Sequence, residues 1–234
     1  MLPIVKQPSY TIYLHSIKKK VEYRPYTVGE EKILMMVSQS DDVNFINTNI
    51  KKVLQGCIMD PDVSISKLAS YDVENLLLKI RAKSSGELVE IDYKDEETKE
   101  QKKIEIDLEK IDVTFPEDHV YKIEINDEVG FIMKDLTFEK ILSYQEKLSK
   151  SDKAKQAEVT YDSIIDCIES IYDADKVYTI GDDTSRDELE TFVGGLSGIS
   201  NKFYKFMETM PSIQYAFKLD SGKEVVIKDI RNFL

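Results

Sequence analysis

The residues able to do chemistry in this chain are few and scattered. Glu30 and Glu31 stand side by side six residues after Arg24, in "KKKVEYRPYTVGEEKILMM" (Lys18 to Met36). Two carboxylates near an arginine suggest a general acid–base pair or a metal site. Adjacent helical residues, however, point about 100° apart, a poor geometry for a shared proton or ion. The plainer account makes them first-turn helix acids, complementing the dipole and its free N–H groups. His15 and His119 are the only histidines and have no HxxxH or HxxE context. Without a Ser or Cys nucleophile motif near them, a triad has no support. Cys57 and Cys167 show no CxxC or Cys/His spacing. Asp182 and Asp183 lack the D-x-[DN]-x-[DN]-G order of a calcium loop and read as a turn. Gly194, Gly195 and Gly198 follow a helix rather than a strand, against a dinucleotide loop. No catalytic, cofactor-binding or metal-binding residue is assigned.

Those residues are positioned by elements that the spacing predicts. Residues 1 to 16 have no clear periodicity and read as an extended arm. Val21-Glu22-Tyr23-Arg24 alternates and stops at Pro25, which cannot donate to a ladder. Thr27-x-x-Glu30 spells a capping box, opening a helix that buries Ile33, Met36 and Val37. Helices are expected over Asp42 to Gln55 and near Ser70 to Lys83. Strands carrying Val89, Ile91 and Tyr93, and Ile104, Ile106 and Leu108, flank KDEETKEQKK, expected as a solvated hairpin tip. Further strands are expected at Val120 to Ile125 and Val129 to Met133, then a helix through Phe138, Ile141 and Leu148. Tyr161, Ile164, Ile165, Ile168, Ile171 and Tyr172 fit one long amphipathic helix, with Cys167 on its apolar face. Ser185-x-x-Glu188 is a second capping box. Phe203 to Met210 predicts a helix ended by Pro211, and a hairpin turning at Asp220-Ser221-Gly222-Lys223 closes the chain.

This is an α+β chain in which capped amphipathic helices pack with two antiparallel hairpin sections. Its expected organisation is an arm and entry strand over 1–26, an α+β lobe over 27–148, and a helical lobe over 152–234 closed by the hairpin. SKSDKAKQAE (Ser149 to Glu158), without a large apolar residue, marks the boundary. With 234 residues, 41% hydrophobic and 32% charged, the chain has enough material for a real core. Its 32 basic against 44 acidic side chains, net −12, oppose tight non-specific binding to nucleic acid, whose affinity comes from counterion release by Lys and Arg. No apolar run has signal-peptide length, and none approaches the ~20 residues of a membrane span. The unpaired cysteines fit a reducing compartment.

The order of several segments resembles one family. Pro8-Ser9-Tyr10 followed by "VEYRPYTVGEEKILM" is similar to the opening of the T-even-like bacteriophage baseplate hub family, where an LPS-type arm precedes R-P-[FYM]-T-x-x-E-E-K. "SRDELETFVGGLS" resembles its acidic E-L-x-x-F helix, "KFYKFMETMPSI" its F-F-x-x-M-P segment, and "SGKEVVIKDIRNFL" its terminal hairpin and aromatic stop. Gln7 stands where leucine is usual, Tyr10 replaces a basic residue, and Leu234 a final phenylalanine. Some members carry cysteine pairs near the hairpins. Neither Lys94 to Lys103 nor Asp220 to Lys223 has one here, so no zinc site is carried over. The resemblance implies a non-enzymatic part of a contractile phage tail, either a central baseplate hub subunit or a factor that helps the hub assemble. It would bind other hub and tail proteins, with no cofactor, nucleic acid or membrane. Its oligomeric state would be set by the assembly, and its location would be the host cytoplasm and then the virion baseplate. A cytoplasmic tail-assembly chaperone and an enzyme with an unrecognised site are the rival classes. Arg24 is expected to meet an acid on a partner. The apolar residues Phe203, Phe206, Met207, Met210 and Phe233 are expected at an interface.

Overall fold

The computed structural model describes residues 6–95, 97 and 99–227. The chain forms two units: Met1–Thr114 together with Ser212–Leu234, and Phe115–Pro211. Among the described residues it is an α+β protein of seven α-helices and small antiparallel sheets.

The first unit opens with β1 (Tyr10–Leu14) paired to β2 (Lys19–Tyr23), in register from Tyr10↔Tyr23 to Leu14↔Lys19. Part of the expected arm is therefore a strand. YTIYL alternates with Ile12 and Leu14 inward, against Val21 and Tyr23 of β2, which are also buried. Its exposed positions are Thr and Tyr rather than charges, so the alternation is masked in the sequence. The connecting turn is held by Asp72, a fully buried carboxylate accepting from the backbone N–H of His15 (2.9 Å) and Ser16 (2.7 Å).

Helices α1 (Val28–Ser38) and α2 (Val43–Cys57) form a helical hairpin; Asp42 caps the second through the N–H groups of Asn44 and Phe45. Helix α3 (Ser70–Ser85) ends at Gly86, whose φ of 109° is open to glycine at little steric cost. It buries Leu76, Leu78 and Ile80 completely. Strands β3 (Leu88–Lys94) and β4 (Gln101–Asp107) follow, paired from Leu88↔Asp107 to Lys94↔Gln101. The hairpin tip is thus shorter than its charge suggested, because Gln101, Lys102 and Lys103 belong to β4. The two-residue β5 (Val113–Thr114) ends this part of the unit.

The second unit holds β6 (Lys122–Glu124), β7 (Gly130–Met133), α4 (Phe138–Ser149), α5 (Lys153–Asp166), β8 (Ile168–Tyr172), β9 (Val177–Thr179), α6 (Arg186–Gly194) and α7 (Ser200–Glu208). Its strands make one antiparallel sheet in chain order, β6-β7-β8-β9. The expected long helix through Tyr172 stops at Asp166, and Ile168–Tyr172 is an inner strand of that sheet instead. Both periods fit these residues, since Ile168 and Ser170 are also buried alternately. Ladders on either side, to β7 and β9, decide for the strand. Cys167 sits at the helix cap rather than on a helical face. Phe131, Met133, Ile165, Ile168, Phe203 and Phe206 form the centre of the core.

The chain then returns to the first unit through β10 (Ser212–Ile213), which pairs with β5, and the hairpin of β11 (Tyr215–Lys218) and β12 (Glu224–Ile227). Phe217 meets Tyr93 edge-on at 5.2 Å. Ile213, Ile227, Ile106 and Leu108 share one core. Lys223 reaches the buried Asp95 at 2.8 Å. This division differs from the lobes expected at 27–148 and 152–234. SKSDKAKQAE is polar because it rounds the solvent-exposed tip between α4 and α5 and opens α5. Those helices are tied together within one unit by Tyr144 Oη donating to Asp166 at 2.6 Å. The pairing of β5 with β10 spans about a hundred residues and leaves no compositional trace.

Candidate functional site

The joint at Arg24 is where the sequence gathers most of its chemistry. Strand β2 delivers Arg24 beside the C-terminus of α2, where its backbone N–H donates to the Cys57 carbonyl at 2.9 Å. Pro25 ends the ladder and Thr27 turns the chain into α1. The guanidinium then grips Glu30 with two parallel bonds, Nη1 to Oε2 and Nη2 to Oε1, each 2.8 Å. It also donates to the carbonyls of Pro25 (2.9 Å) and Gly56 (2.7 Å). Glu30 Oε2 in turn accepts from the Thr27 backbone N–H (2.7 Å) and hydroxyl (2.9 Å), and Thr27 Oγ1 accepts from the Glu30 N–H at 3.3 Å. The capping box is formed in full.

The electrostatics follow from these contacts. The Arg24 guanidinium, helped by the Thr27 donors, holds the Glu30 carboxyl down at about 2. A carboxylate that acidic is a poor general base. The Cys57 thiol, 3.9 Å from Nη1, is pushed up to about 12 by burial, and so stays protonated and inert. Arg24 is committed to Glu30 within the chain rather than offered to a partner, which corrects that expectation. The joint is a lock between β2, α1 and α2. Thr27→Ala removes the acceptor for the Glu30 N–H and is expected to cost about 0.5–2 kcal/mol, read as a lower midpoint in urea unfolding. An unchanged midpoint would contradict the cap.

The remaining sequence candidates lie apart. His15 belongs to the first unit, its ring edge-on to Tyr13 at 5.0 Å. His119 belongs to the second, where Nδ1 is 3.0 Å from Thr209 Oγ1 and the ring packs on Tyr121 and Phe206. Burial lowers its pKa and favours the neutral ring. Asp183 folds back onto the N–H of Thr179 at 3.0 Å, and Gly181 adopts φ 96°, so TIGDDTS is a turn leading into the Ser185 capping box. Gly194 ends α6, Gly195 caps it, and Gly198 has φ 73°. Among the described residues, no group of three or more His, Cys, Asp or Glu is placed to hold a metal ion. No helix among them is long and apolar enough to cross a membrane.

One cluster was not legible in the sequence. Asp166 collects Tyr144 Oη, Lys140 Nζ (2.7 Å) and the Arg186 guanidinium, which also reaches Asp162 (3.5 Å) and Glu190 (2.7 Å). Burial opposes ionisation of Asp166, and the donors of Lys140, Tyr144 and Arg186 outweigh it, lowering its pKa. The cluster pins α4, α5 and α6 to one another.

Surfaces, rather than reactive groups, are what these elements leave open. Phe203 and Phe206, expected at an interface, are buried in the core, and Met207 and Met210 pack half-buried against it. Phe233 lies outside the described residues. What α7 presents outward is Tyr204, 59% exposed. It borders a groove of about 440 Å³ lined by residues of α5, α6, α7 and the α6–α7 connection. On the first unit, Met35 and Met36 of α1 are 64% and 51% exposed and border Phe45 of α2 in a shallow depression. The helical spacing that predicted Met36 as buried marks a face which the fold leaves uncovered.

A search of the curated proteins and one of the solved structures gave no match. Among protein families, the one described as T4 bacteriophage base plate protein matches residues 7–234, spanning both units.

Proposed function

The chain belongs to the T4 bacteriophage base plate protein family, and we propose that it serves in the central hub of the baseplate, as a subunit or as a factor assembling it. It does so without catalysis, through protein–protein interfaces. The observation that carries this is the family match over residues 7–234, which takes in the Arg24–Glu30 joint, both capping boxes and all of the second unit. The chemistry of the joint supports the non-enzymatic part. Its carboxylate is spent on a guanidinium and a helix cap, and its thiol is held protonated. The exposed apolar faces of α1 and of the α5–α7 groove support action by contact.

Quantitative mass spectrometry of purified particles tests the reading. The protein is expected in the virion at a fixed ratio to other hub proteins. Presence in assembly intermediates but not in mature particles would make it an assembly factor working in the host cytoplasm. Absence from both would place it with chaperones acting elsewhere and overturn the hub role.

A further inference from the structure

We propose that the groove between α5, α6 and α7 is a docking site for a basic amphipathic helix of a partner protein. The proposal rests on the baseplate reading only for the source of that helix. One wall is the open face of α5, where Ala157, Thr160, Tyr161 and Ile164 follow helical spacing. The other wall is made by Val193, Gly194 and Leu196, with Phe203 and Tyr204 of α7. Ile164, Val193 and Phe203 are buried and give an apolar floor, while Tyr161 and Tyr204 stand exposed at the edges. Ala157, Gly194 and Ser200 are small. A Cβ built on Gly194 meets nothing within 4 Å, so a partner backbone can approach closely there. From Ala157 to Ile164 the helix rises about 10 Å, matching about two turns of a helix laid in the groove.

Charge selects the occupant. Residues 115–211 carry 21 Asp and Glu against 11 Lys and Arg, so −10 of the chain's −12 lies in this unit. Beside Tyr161, the three carboxylates of Asp162, Asp166 and Glu190 share two cations, Arg186 and the Lys140 ammonium on Asp166, leaving one negative charge in excess. Glu190 and Asp162 both act on the Tyr161 hydroxyl, and Glu158 follows Ala157 on α5. The cations of α7 are engaged elsewhere: Lys205 pairs with Asp118 at 3.3 Å, and Lys202 donates to the Glu124 carbonyl. Lys153 and Lys155 lie at the start of α5, ahead of the groove. An apolar stripe flanked by Lys or Arg therefore fits, and one flanked by acids is repelled.

The test uses the full-length chain and two labelled peptides of about four helical turns. Both place Leu at i, i+3, i+4 and i+7; one fills the other positions with Lys and the other with Glu. Fluorescence anisotropy should show saturable one-to-one binding of the Leu/Lys peptide, weakened by added salt, and at least tenfold weaker binding of the Leu/Glu peptide. Gly194→Leu fills the groove without changing charge and should weaken Leu/Lys binding at least tenfold while the circular dichroism spectrum is kept. Ala157→Leu, on an exposed helical position, provides a second block should the first variant misfold. No saturable binding would overturn the proposal. So would equal binding to the wild type and the folded blocked variants, since the contact would then be diffuse charge. Neither of these results bears on whether the protein is found in hub particles.

Discussion

Phe131→Ala is expected to cost about 3–5 kcal/mol, the range for emptying a fully enclosed aromatic site. Phe131 is 0% exposed in β7, between β6 and β8. Its ring lies 5.5 Å from Phe203 and 6.0 Å, edge-on, from Phe192. Strand pairing fixes the backbone on both sides, so the surroundings cannot collapse freely into the cavity, and the cost falls toward the upper part of the range. Phe203 also lines the docking groove, so the truncation removes support from its floor. Urea unfolding followed by tyrosine fluorescence and circular dichroism measures this. A loss below about 1 kcal/mol would mean that the sheet and α7 do not enclose this ring as described. Phe131→Leu, which keeps most of the volume, should lose much less.

Arg24→Met is expected to cost about 2–3 kcal/mol. The methionine keeps an apolar stem but removes every donor. Glu30, with a side chain only 18% exposed, loses its counter-ion, and the Gly56 and Pro25 carbonyls lose their bonds. Glu30→Gln alone should cost less, and the double variant less than the sum, because the two residues form one unit. The linkage has a definite sign. Folding holds the Glu30 pKa at about 2, below its ordinary 4.5, so the folded state favours the ionised form. That stabilisation is present in full above about pH 4.5 and is lost as the pH falls toward 2. Arg24→Met should therefore show a shallower loss of stability across that window than the wild type. Parallel pH profiles that merely sit lower would show that the pair does not set the acid sensitivity.

Local signals are legible in the sequence. Thr27-x-x-Glu30 and Ser185-x-x-Glu188 each name a cap whose partners lie three residues apart, and both caps form. Gly86 and Gly222, with φ of 109° and 85°, mark a helix end and a hairpin turn at the expected places. Family membership was legible too, from the order of segments rather than from any single residue. Where two periods fit the same residues, periodicity decides nothing. Ile164 to Tyr172 satisfies a helical stripe and a strand alternation alike, and only ladders on both sides resolve it.

The sequence by itself determined the α+β class, the caps, the turns and the absence of a recognisable catalytic motif, because each depends on residues within a few positions of one another. The tertiary structure alone decided three things. It joined β5 to β10 across about a hundred residues, so that the C-terminal hairpin completes the first unit. It turned Arg24 inward to Glu30, Gly56 and Pro25 instead of outward to a partner. It buried Phe203 and Phe206 while leaving Tyr161, Tyr204, Met35 and Met36 outside. Apolar periodicity shows which face of a helix seeks cover, but whether that face finds it depends on distant segments, and their pairing carries no local mark.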